Sequence, residues 1–195
     1  MVGHSISVVI MAYNEEGNIS LQVGRTLKFF GENARDFEII CVDDGSTDGT
    51  GSVCEEFAAK DSRIRVIHHA RNLGMGAAIK TGYSAATKEY VTQLPGDAQV
   101  NPEMFKRFLP LLGENDLILS RYEKRDDGIL RSLLTTGFKI TGRLITGFPC
   151  DFTGTMFFRR EFLDRMKMTS DSFFINFEVA FGIMKLTKRA AYVNK

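Results

Sequence analysis

Residues 37–50 read FEIICVDDGSTDGT, and this stretch decides the fold class. Its first six residues are mostly apolar and rich in β-branched side chains, which favours a strand buried on both faces of a parallel sheet. Asp43 and Asp44 stop the strand, and the turn and capping residues after them lead into a helix predicted over 51–60. The stretch therefore predicts one strand, loop and helix unit of an α/β domain.

The same cycle repeats along the first 120 residues. Further strands are predicted at 6–12, 64–68, 90–94 and 116–120, and further helices at 19–30, 76–87 and 102–112. Strands that alternate with helices imply βαβ units, right-handed crossovers and a mainly parallel central sheet flanked by helices. Such sheets bind ligands beyond the carboxyl ends of their strands, so we expect the polar loops to share one edge. These loops are 13–18, 43–50, 71–74 and 97–99.

The chain after residue 120 is less regular. A strand is predicted at 152–159, a helix at 174–186 and a final strand at 190–193. Residues 128–148 mix apolar and basic side chains at helical spacing, which fits either a helix in a membrane interface or one half-buried against its own domain. The chain stops almost inside its last strand, which suggests a truncated second half or a protein that lacks a downstream segment. We predict a single domain over 1–195.

Composition excludes several classes of protein. A length of 195 residues suits one core, and 44% hydrophobic and 25% charged residues are ordinary for a globular chain. The net charge of +1 does not indicate a nucleic-acid partner. Cys41, Cys54 and Cys150 form no CxxC pair, which predicts reduced cysteines in a cytoplasmic protein. The sequence shows neither a signal peptide nor an apolar run of about 18 residues that could span a membrane.

Two polar stretches each leave two interpretations open. Asp43 and Asp44 belong either to a helix cap or to a ligand contact, because adjacent carboxylates need a donor-rich partner such as a base or ribose. Residues 71–81 fail both the dinucleotide fingerprint and the P-loop, since Ile79 replaces a glycine that each motif needs. What remains is a Gly-rich helix start beside Arg71, which is either a flexible loop or a diphosphate contact.

Asp97 and Gln99 follow the strand at 90–94. They form either an ordinary Pro-Gly turn or an oxygen-ligand site for Mg²⁺ or Mn²⁺ that substrate phosphates and water complete. A site with one carboxylate should hold the metal weakly until a diphosphate is bound. The histidines lack metal-ligand spacing, and we expect surface or strand-end roles for them; they are His4, His68 and His69.

Four segments taken together resemble the family 2 glycosyltransferases in their residues, order and spacing. The segments are 8–16, 40–50, 71–74 and 96–103, and 120–122, 151–154 and 176–178 also fit. The similarity is to the branch of dolichyl-phosphate mannose synthase and the bacterial polyprenyl-phosphate glycosyltransferases. It covers nearly the whole chain and implies a single Rossmann-like GT-A domain. In that domain 1–120 is the nucleotide-sugar-binding half and 121–195 the acceptor-side half.

The resemblance and the loop analysis together assign candidate roles. The nucleotide-binding candidates are Ala12, Tyr13, Asn14, Glu15, Asp44, Arg71, Gly74 and Asp97. The resemblance implies metal ligands at Asp97 and Gln99, and diphosphate or lipid-phosphate contacts at Arg121 and Arg131. The catalytic candidates are Asp97, Arg121, Glu178 and Asp151. One departure weakens the metal site: Pro95 stands where the family's first metal-binding Asp falls, and its side chain cannot ligate.

The implied function is an inverting glycosyltransferase of cell-envelope biosynthesis. It would move a sugar from a UDP- or GDP-linked donor to a polyprenyl or dolichyl phosphate, with Mg²⁺ or Mn²⁺, in the cytoplasm and in peripheral contact with the inner face of the membrane. Hydroxyl-using relatives commonly carry Asp at the position of Val179, and a phosphate acceptor needs no base. Two alternatives stay open. One is a soluble enzyme that acts on a saccharide hydroxyl with Glu178 or Asp151 as base, and the other is a nucleotide-sugar-binding module with a degenerate metal site.

Overall fold

The computed structural model describes residues 1–121 and 152–194, with side chains from 154 in the second range. The predictions for Arg131, Asp151, Cys150 and the segment 128–148 lie outside the described residues. The described residues include seven strands: β1 (Val2–Ala12), β2 (Ala34–Asp43), β3 (Ile64–His68), β4 (Tyr90–Pro95), β5 (Leu117–Arg121), β6 (Phe152–Arg159) and β7 (Ala190–Asn194). The α-helices within the described ranges are α1 (Glu16–Asn33), α2 (Thr50–Lys60), α3 (Met75–Ala85) and α4 (Ile175–Leu186).

The strands form one sheet in the order β3-β2-β1-β4-β6-β5-β7. β1 pairs in parallel with β2 and β4, β2 with β3, and β5 with β7. Only β6 runs antiparallel to its neighbours among the described strands. The predicted mainly parallel sheet is therefore confirmed, and the carboxyl ends of β1, β2, β3 and β4 meet at one edge.

Two apolar layers cover the sheet. Alternate residues of β1 enter opposite layers, because successive side chains of a strand point to opposite faces. Ile10 packs with α1, α2 and the Phe105–Phe157 pair, whose ring centroids are 4.8 Å apart. Val9 packs on the other face with α3 and α4. Burial on both faces explains why β1 reads as a nearly continuous apolar run.

The prediction of one continuous helix at 102–112 is wrong. The structure has two short 3₁₀-helices there, Pro102–Arg107 and Leu109–Leu111. Pro110 has no N–H to donate, and its ring disfavours the α conformation of the residue before it. The backbone bonds consequently tighten to a three-residue spacing, as in Leu111 N–H to the Phe108 carbonyl at 2.9 Å.

Two further sequence expectations can be compared with the described residues. Cys41 and Cys54, which we expected to be structural cysteines, are both buried and both have free thiols. Within 1–121 and 152–194, no helix combines the length and the hydropathy that crossing a bilayer requires.

Candidate functional site

A cavity of about 330 Å³ opens at the carboxyl edge of the parallel strands. Its walls come from the loops after β1, β2, β3 and β4 and from the start of α3. They are formed by Met11, Ala12, Tyr13, Glu15, Asp44, Asn72, Gly74, Met75, Ala78, Pro95, Gly96 and Asp97. Six of the eight predicted nucleotide-binding residues are in this set, whereas Asn14 and Arg71 are not among the lining residues. The topology thus brings distant parts of the sequence to one place.

Asn14 ties the loop after β1 to the loop after β2. Its backbone N–H donates to Ser46 Oγ at 3.0 Å, and its Oδ1 accepts the Thr47 N–H at 2.8 Å. Glu15 N–H donates to Thr50 Oγ1 at 2.7 Å, which adds a further link between the loops. Asn14 also adopts a left-handed φ of 54°, which asparagine tolerates better than most residues. Its observed contacts are therefore structural, and they fix the backbone that carries Tyr13 and Glu15 to the cavity.

The adjacent carboxylates Asp43 and Asp44 have different surroundings. Asp43 accepts the Ser46 N–H at 3.0 Å on Oδ1, and its Oδ2 lies 2.8 Å from His68 Nδ1. Burial acts to raise the pKa of Asp43, but the hydrogen bonds from Ser46 and His68 outweigh it and the pKa is lowered. Asp43 is thus the turn-forming carboxylate of the pair, and Asp44 is the one that reaches the cavity.

Asp44 organises the loop that leads into α3. The Asp44 side chain is 5% exposed, and its Oδ1 lies 2.6 Å from His69 Nδ1. Leu73 N–H donates to Oδ1 at 3.0 Å, and Gly74 N–H donates to Oδ2 at 2.9 Å. Gly74 has a φ of 93°, a left-handed conformation that glycine adopts without a steric penalty. The Gly-rich stretch is therefore an ordered wall of the cavity, bound to a buried carboxylate.

Asp97 stands on a tight turn after β4. Gly96 N–H donates to the Met11 carbonyl at 2.8 Å, and a Cβ at Gly96 would lie only 2.8 Å from the Ala12 Cβ. The close approach of the β1 and β4 ends explains why glycine occupies position 96. Asp97 Oδ1 accepts the Gln99 N–H at 3.0 Å, which closes an Asx-turn. Asp97 lines the cavity, whereas Gln99 is exposed and outside the lining.

The oxygen donors at this corner fit a weakly held hard cation. Asp97 has a carboxylate at the cavity, Gln99 has a carboxamide two residues further along but outside the lining, and the Pro95 side chain has no ligand atom. Across the part of the chain that the structure describes, no group of three or more His, Cys, Asp or Glu residues is arranged to hold a metal. Mg²⁺ and Mn²⁺ accept such sparse oxygen sites when phosphates and water complete the shell. The residues present therefore fit the expected cation only in company with a diphosphate.

The acceptor-side candidates have contacts of their own. Arg121 ends β5, and its guanidinium lies 3.6 Å from the ring centroid of Tyr192, within cation–π range. The Glu178 carboxylate accepts hydrogen bonds from Thr169 N–H at 2.8 Å, Thr169 Oγ1 at 2.6 Å and Ser170 N–H at 2.9 Å. Burial acts to raise the pKa of Glu178, but these bonds outweigh it and the pKa is lowered. Glu178 therefore holds the loop before α4, a role unlike that of a free base.

Sequence reasoning missed His69. We expected surface or strand-end roles for the histidines, and His68 does end β3. His69 turns inward, with a side chain 9% exposed and bonded to Asp44. A signal was present, because two consecutive histidines at the end of a predicted strand fall at the same sheet edge as the other polar loops.

A sequence profile described as "Glycosyl transferase family 2" matches residues 7–188. The chain belongs to glycosyltransferase family 2. The matched range includes the loops that form the cavity. The expected membership of this family is therefore confirmed.

Curated relatives support the same assignment. The chain is 31% identical over 170 residues to the undecaprenyl-phosphate 4-deoxy-4-formamido-L-arabinose transferase of Proteus mirabilis, which covers 84% of this chain and 51% of that protein. The protein of the same name from Klebsiella pneumoniae is 32% identical over 168 residues, covering 83% of this chain and 50% of that protein. This family 2 chain thus spans about half the length of these relatives.

Solved structures agree in fold. Glucosyl-3-phosphoglycerate synthase of Mycobacterium tuberculosis, crystallised with Mn²⁺, UDP and phosphoglyceric acid, superposes with a TM-score of 0.72 at 22% identity. The match covers 98% of this chain and 69% of that one. Mannosyl-3-phosphoglycerate synthase of Rubrobacter xylanophilus gives a TM-score of 0.70 at 17% identity, with 98% and 64% covered. The predicted GT-A fold of this family 2 chain is confirmed.

Proposed function

We propose that this family 2 chain binds a nucleoside-diphosphate sugar and transfers the sugar, with inversion, to a polyprenyl phosphate. The observation that carries the proposal is the cavity at the sheet edge. Asp44 and Asp97 follow the two strands that flank β1, so the cavity offers one carboxylate at each side. The curated relatives, named as undecaprenyl-phosphate transferases, support the acceptor.

The nucleoside end of the donor would lie beside Asp44. Asp44 is the buried acceptor of the cavity, and base and ribose both offer hydrogen-bond donors to such a group. Tyr13 is 43% exposed at the same wall and can stack on a base. UDP is the first candidate nucleotide, because the Mycobacterium tuberculosis synthase was crystallised with UDP.

The diphosphate end would lie beside Asp97. Asp97 would hold Mg²⁺ or Mn²⁺, with Gln99 as a second oxygen donor once the diphosphate is in place. When bound, such a cation supplies positive charge that stabilises the leaving diphosphate. Mn²⁺ in the Mycobacterium tuberculosis structure supports this choice of metal. Arg121 belongs to the acceptor side, where its permanent positive charge suits a phosphate.

The transfer step needs no base from this chain. An oxygen of the acceptor phosphate forms a bond to the anomeric carbon, while the bond from that carbon to the nucleoside diphosphate breaks. The electron pair leaves with the diphosphate, and the configuration inverts. The acceptor oxygen is already anionic and carries no proton to remove. This agrees with Val179, which lies in the core, and with Glu178, whose two oxygens hold the Thr169–Ser170 backbone.

An apolar rim beside the cavity supports a lipid acceptor over a saccharide. The rim consists of Leu73, Met75, Phe173 and Phe174, with side chains 47%, 49%, 52% and 64% exposed. The two parts of the rim are adjacent, because the Asp171–Ser172 backbone packs against Gly76 at the start of α3. Exposed large apolar side chains that cluster beside a site mark contact with an apolar partner. We propose a cytoplasmic location at the inner face of the membrane on the same grounds.

Calorimetric titration with UDP and with GDP, with and without Mn²⁺, tests the donor site. We expect one nucleotide to bind at least tenfold more tightly with Mn²⁺. Asp97→Asn should abolish that metal effect, whereas Asp164→Asn, an exposed carboxylate paired with Arg160, should leave it intact. Pro95→Asp should tighten metal binding by adding a ligand. A metal effect that survives Asp97→Asn would refute the assignment of Asp97.

Transfer assays separate the remaining alternatives. Sugar transfer to polyprenyl phosphate but not to free saccharides is the expected result. Transfer to a saccharide hydroxyl alone would favour the soluble enzyme. Nucleotide binding that is indifferent to Mn²⁺, without any transfer, would favour the binding module.

A further inference from the structure

Both ring nitrogens of His69 form hydrogen bonds. Its Nδ1 lies 2.6 Å from Asp44 Oδ1, and its Nε2 lies 2.9 Å from Thr81 Oγ1 on α3. His69 and Asp44 side chains are 9% and 5% exposed, so little water competes for these contacts. The imidazole ring therefore bridges the end of β2 and the middle of α3 in a fixed orientation.

The chemistry of the contact determines which atom carries the proton. An ionised carboxylate only accepts hydrogen bonds, so Nδ1 of His69 is the donor to Asp44. Leu73 N–H also donates to Oδ1, which gives that oxygen two donors. Oδ2 accepts only the Gly74 N–H among the described contacts, and a carboxylate oxygen can accept a second donor. Asp44 lines the cavity, and Oδ2 is its oxygen with acceptor capacity left, so a ligand there would bond to Oδ2.

We propose that His69 is a positioning residue of the donor site. It holds Oδ1 of Asp44 against the protein, which leaves Oδ2 to accept a donor from the base or ribose. This rests on the proposed function, since it assumes that a nucleotide occupies the cavity. The effect is confined to the nucleoside end of the donor, because Asp97 lies on the turn after β4 and, among the described contacts, the His69 ring bonds to Asp44 and Thr81 and not to that turn.

Two kinds of ligand, a nucleotide and inorganic pyrophosphate, distinguish a positioning role of His69 from a general structural role. Dissociation constants for UDP, GDP and inorganic pyrophosphate are measured by calorimetry in Mn²⁺, because pyrophosphate has no nucleoside. His69→Leu should weaken the preferred nucleotide at least tenfold and leave pyrophosphate within about twofold. His69→Asn, which keeps a donor near the position of Nδ1, should recover most of the lost affinity.

Further variants keep the proposal falsifiable if His69→Leu folds poorly. Thr81→Val removes only the second anchor of the ring and should give a smaller loss, of about two- to fivefold, for the nucleotide alone. His68→Leu is the matched control, because His68 contacts Asp43 and Glu55 and not Asp44. His68→Leu should change the affinity for the nucleotide and the affinity for pyrophosphate by no more than about twofold each.

The possible outcomes are distinct. If the wild-type protein binds neither UDP nor GDP, the proposed function fails. If it binds one of them and His69→Leu leaves that affinity unchanged, only the role of His69 is refuted. An equal loss of nucleotide and pyrophosphate affinity would also overturn that role, because it would indicate collapse of the whole cavity.

Discussion

Gly76→Ala should destabilise the protein through a single methyl group. Gly76 is the second residue of α3, where alanine would ordinarily be a better helix former. A Cβ at this position would lie 2.2 Å from the Asp171 carbonyl carbon and 2.5 Å from the Ser172 N. Both are backbone atoms, so no rotation of a side chain can relieve the contact. Either α3 or the loop at 171–172 must move.

The size of the effect follows from the cost of overpacking. Inserting one carbon into a closely packed contact typically costs about 1–3 kcal/mol, which exceeds the gain of about 0.5–1 kcal/mol from replacing glycine in a helix. In a chain of this size each kcal/mol lowers the melting temperature by roughly 2–4 °C. Gly24→Ala is the matched control, since Gly24 lies in α1 and a Cβ there meets no atom within 4 Å. It should stabilise the protein.

Urea denaturation and thermal melts of the two variants check the reasoning. Gly76→Ala should lower the free energy of unfolding, and Gly24→Ala should raise it. The affinity for UDP or GDP should fall only in Gly76→Ala, because Gly74 and Met75 line the cavity next to the displaced contact. An unchanged or raised stability of Gly76→Ala, beside a normal control, would show that the backbones are not as close as described.

Two other perturbations test separate surfaces. The double variant Phe173→Ser/Phe174→Ser should bind phosphatidylglycerol vesicles at least tenfold more weakly in flotation assays, because each phenylalanine buried in the membrane contributes about 1.5–3 kcal/mol. Leu21 is 49% exposed on α1, and the control variant Leu21→Ser should bind the vesicles as the wild type does. An equal loss of vesicle binding in both variants would contradict the assignment of the apolar rim. His68→Gln should lower the free energy of unfolding by less than about 1 kcal/mol in urea titrations, mainly between pH 3.8 and 6.5. Hydrogen bonds to Asp43 and Glu55 raise the pKa of His68, so its contribution to stability is complete below pH 6.5 and is lost as pH rises through the raised pKa. The pKa of Asp43 is lowered despite burial, so the contribution of Asp43 to stability is complete above pH 3.8 and is lost as pH falls through the lowered pKa. A stability difference between wild type and His68→Gln that grows above pH 8 would contradict this explanation.

The sequence predicted the sheet edge well because simple periodicity governs it. β-branched apolar runs buried on both faces have few alternatives to parallel strands, and the carboxyl ends of such strands must share an edge. The observed β3 (Ile64–His68) and β6 (Phe152–Arg159) match their predicted bounds. The expected clustering of Ala12, Asp44 and Asp97 follows from the same rule.

Details that depend on contacts between loops were beyond the sequence. The strand pattern could not show that Asp43 faces Ser46 and His68 while Asp44 faces the cavity, because adjacent residues alternate in direction only where the strand is still regular. Nor could it show that Asn14 binds the next loop instead of lining the cavity. Such choices depend on hydrogen-bond partners 25 or more residues away along the chain, such as His68 for Asp43 and Thr47 for Asn14.

The start of α3 connects the two sides of the proposed site. Asp44, on the proposed donor side, accepts the Gly74 N–H directly before α3, and Gly76 lies against the Asp171–Ser172 backbone, on the proposed acceptor side. Lys80, one turn further along α3, forms an ion pair with Asp171. A displacement of the loop at 171–172 must therefore either break the Lys80–Asp171 pair or carry α3 with it. Because α3 also holds Thr81 against His69, such a movement would reach the nucleoside end of the cavity through rigid contacts.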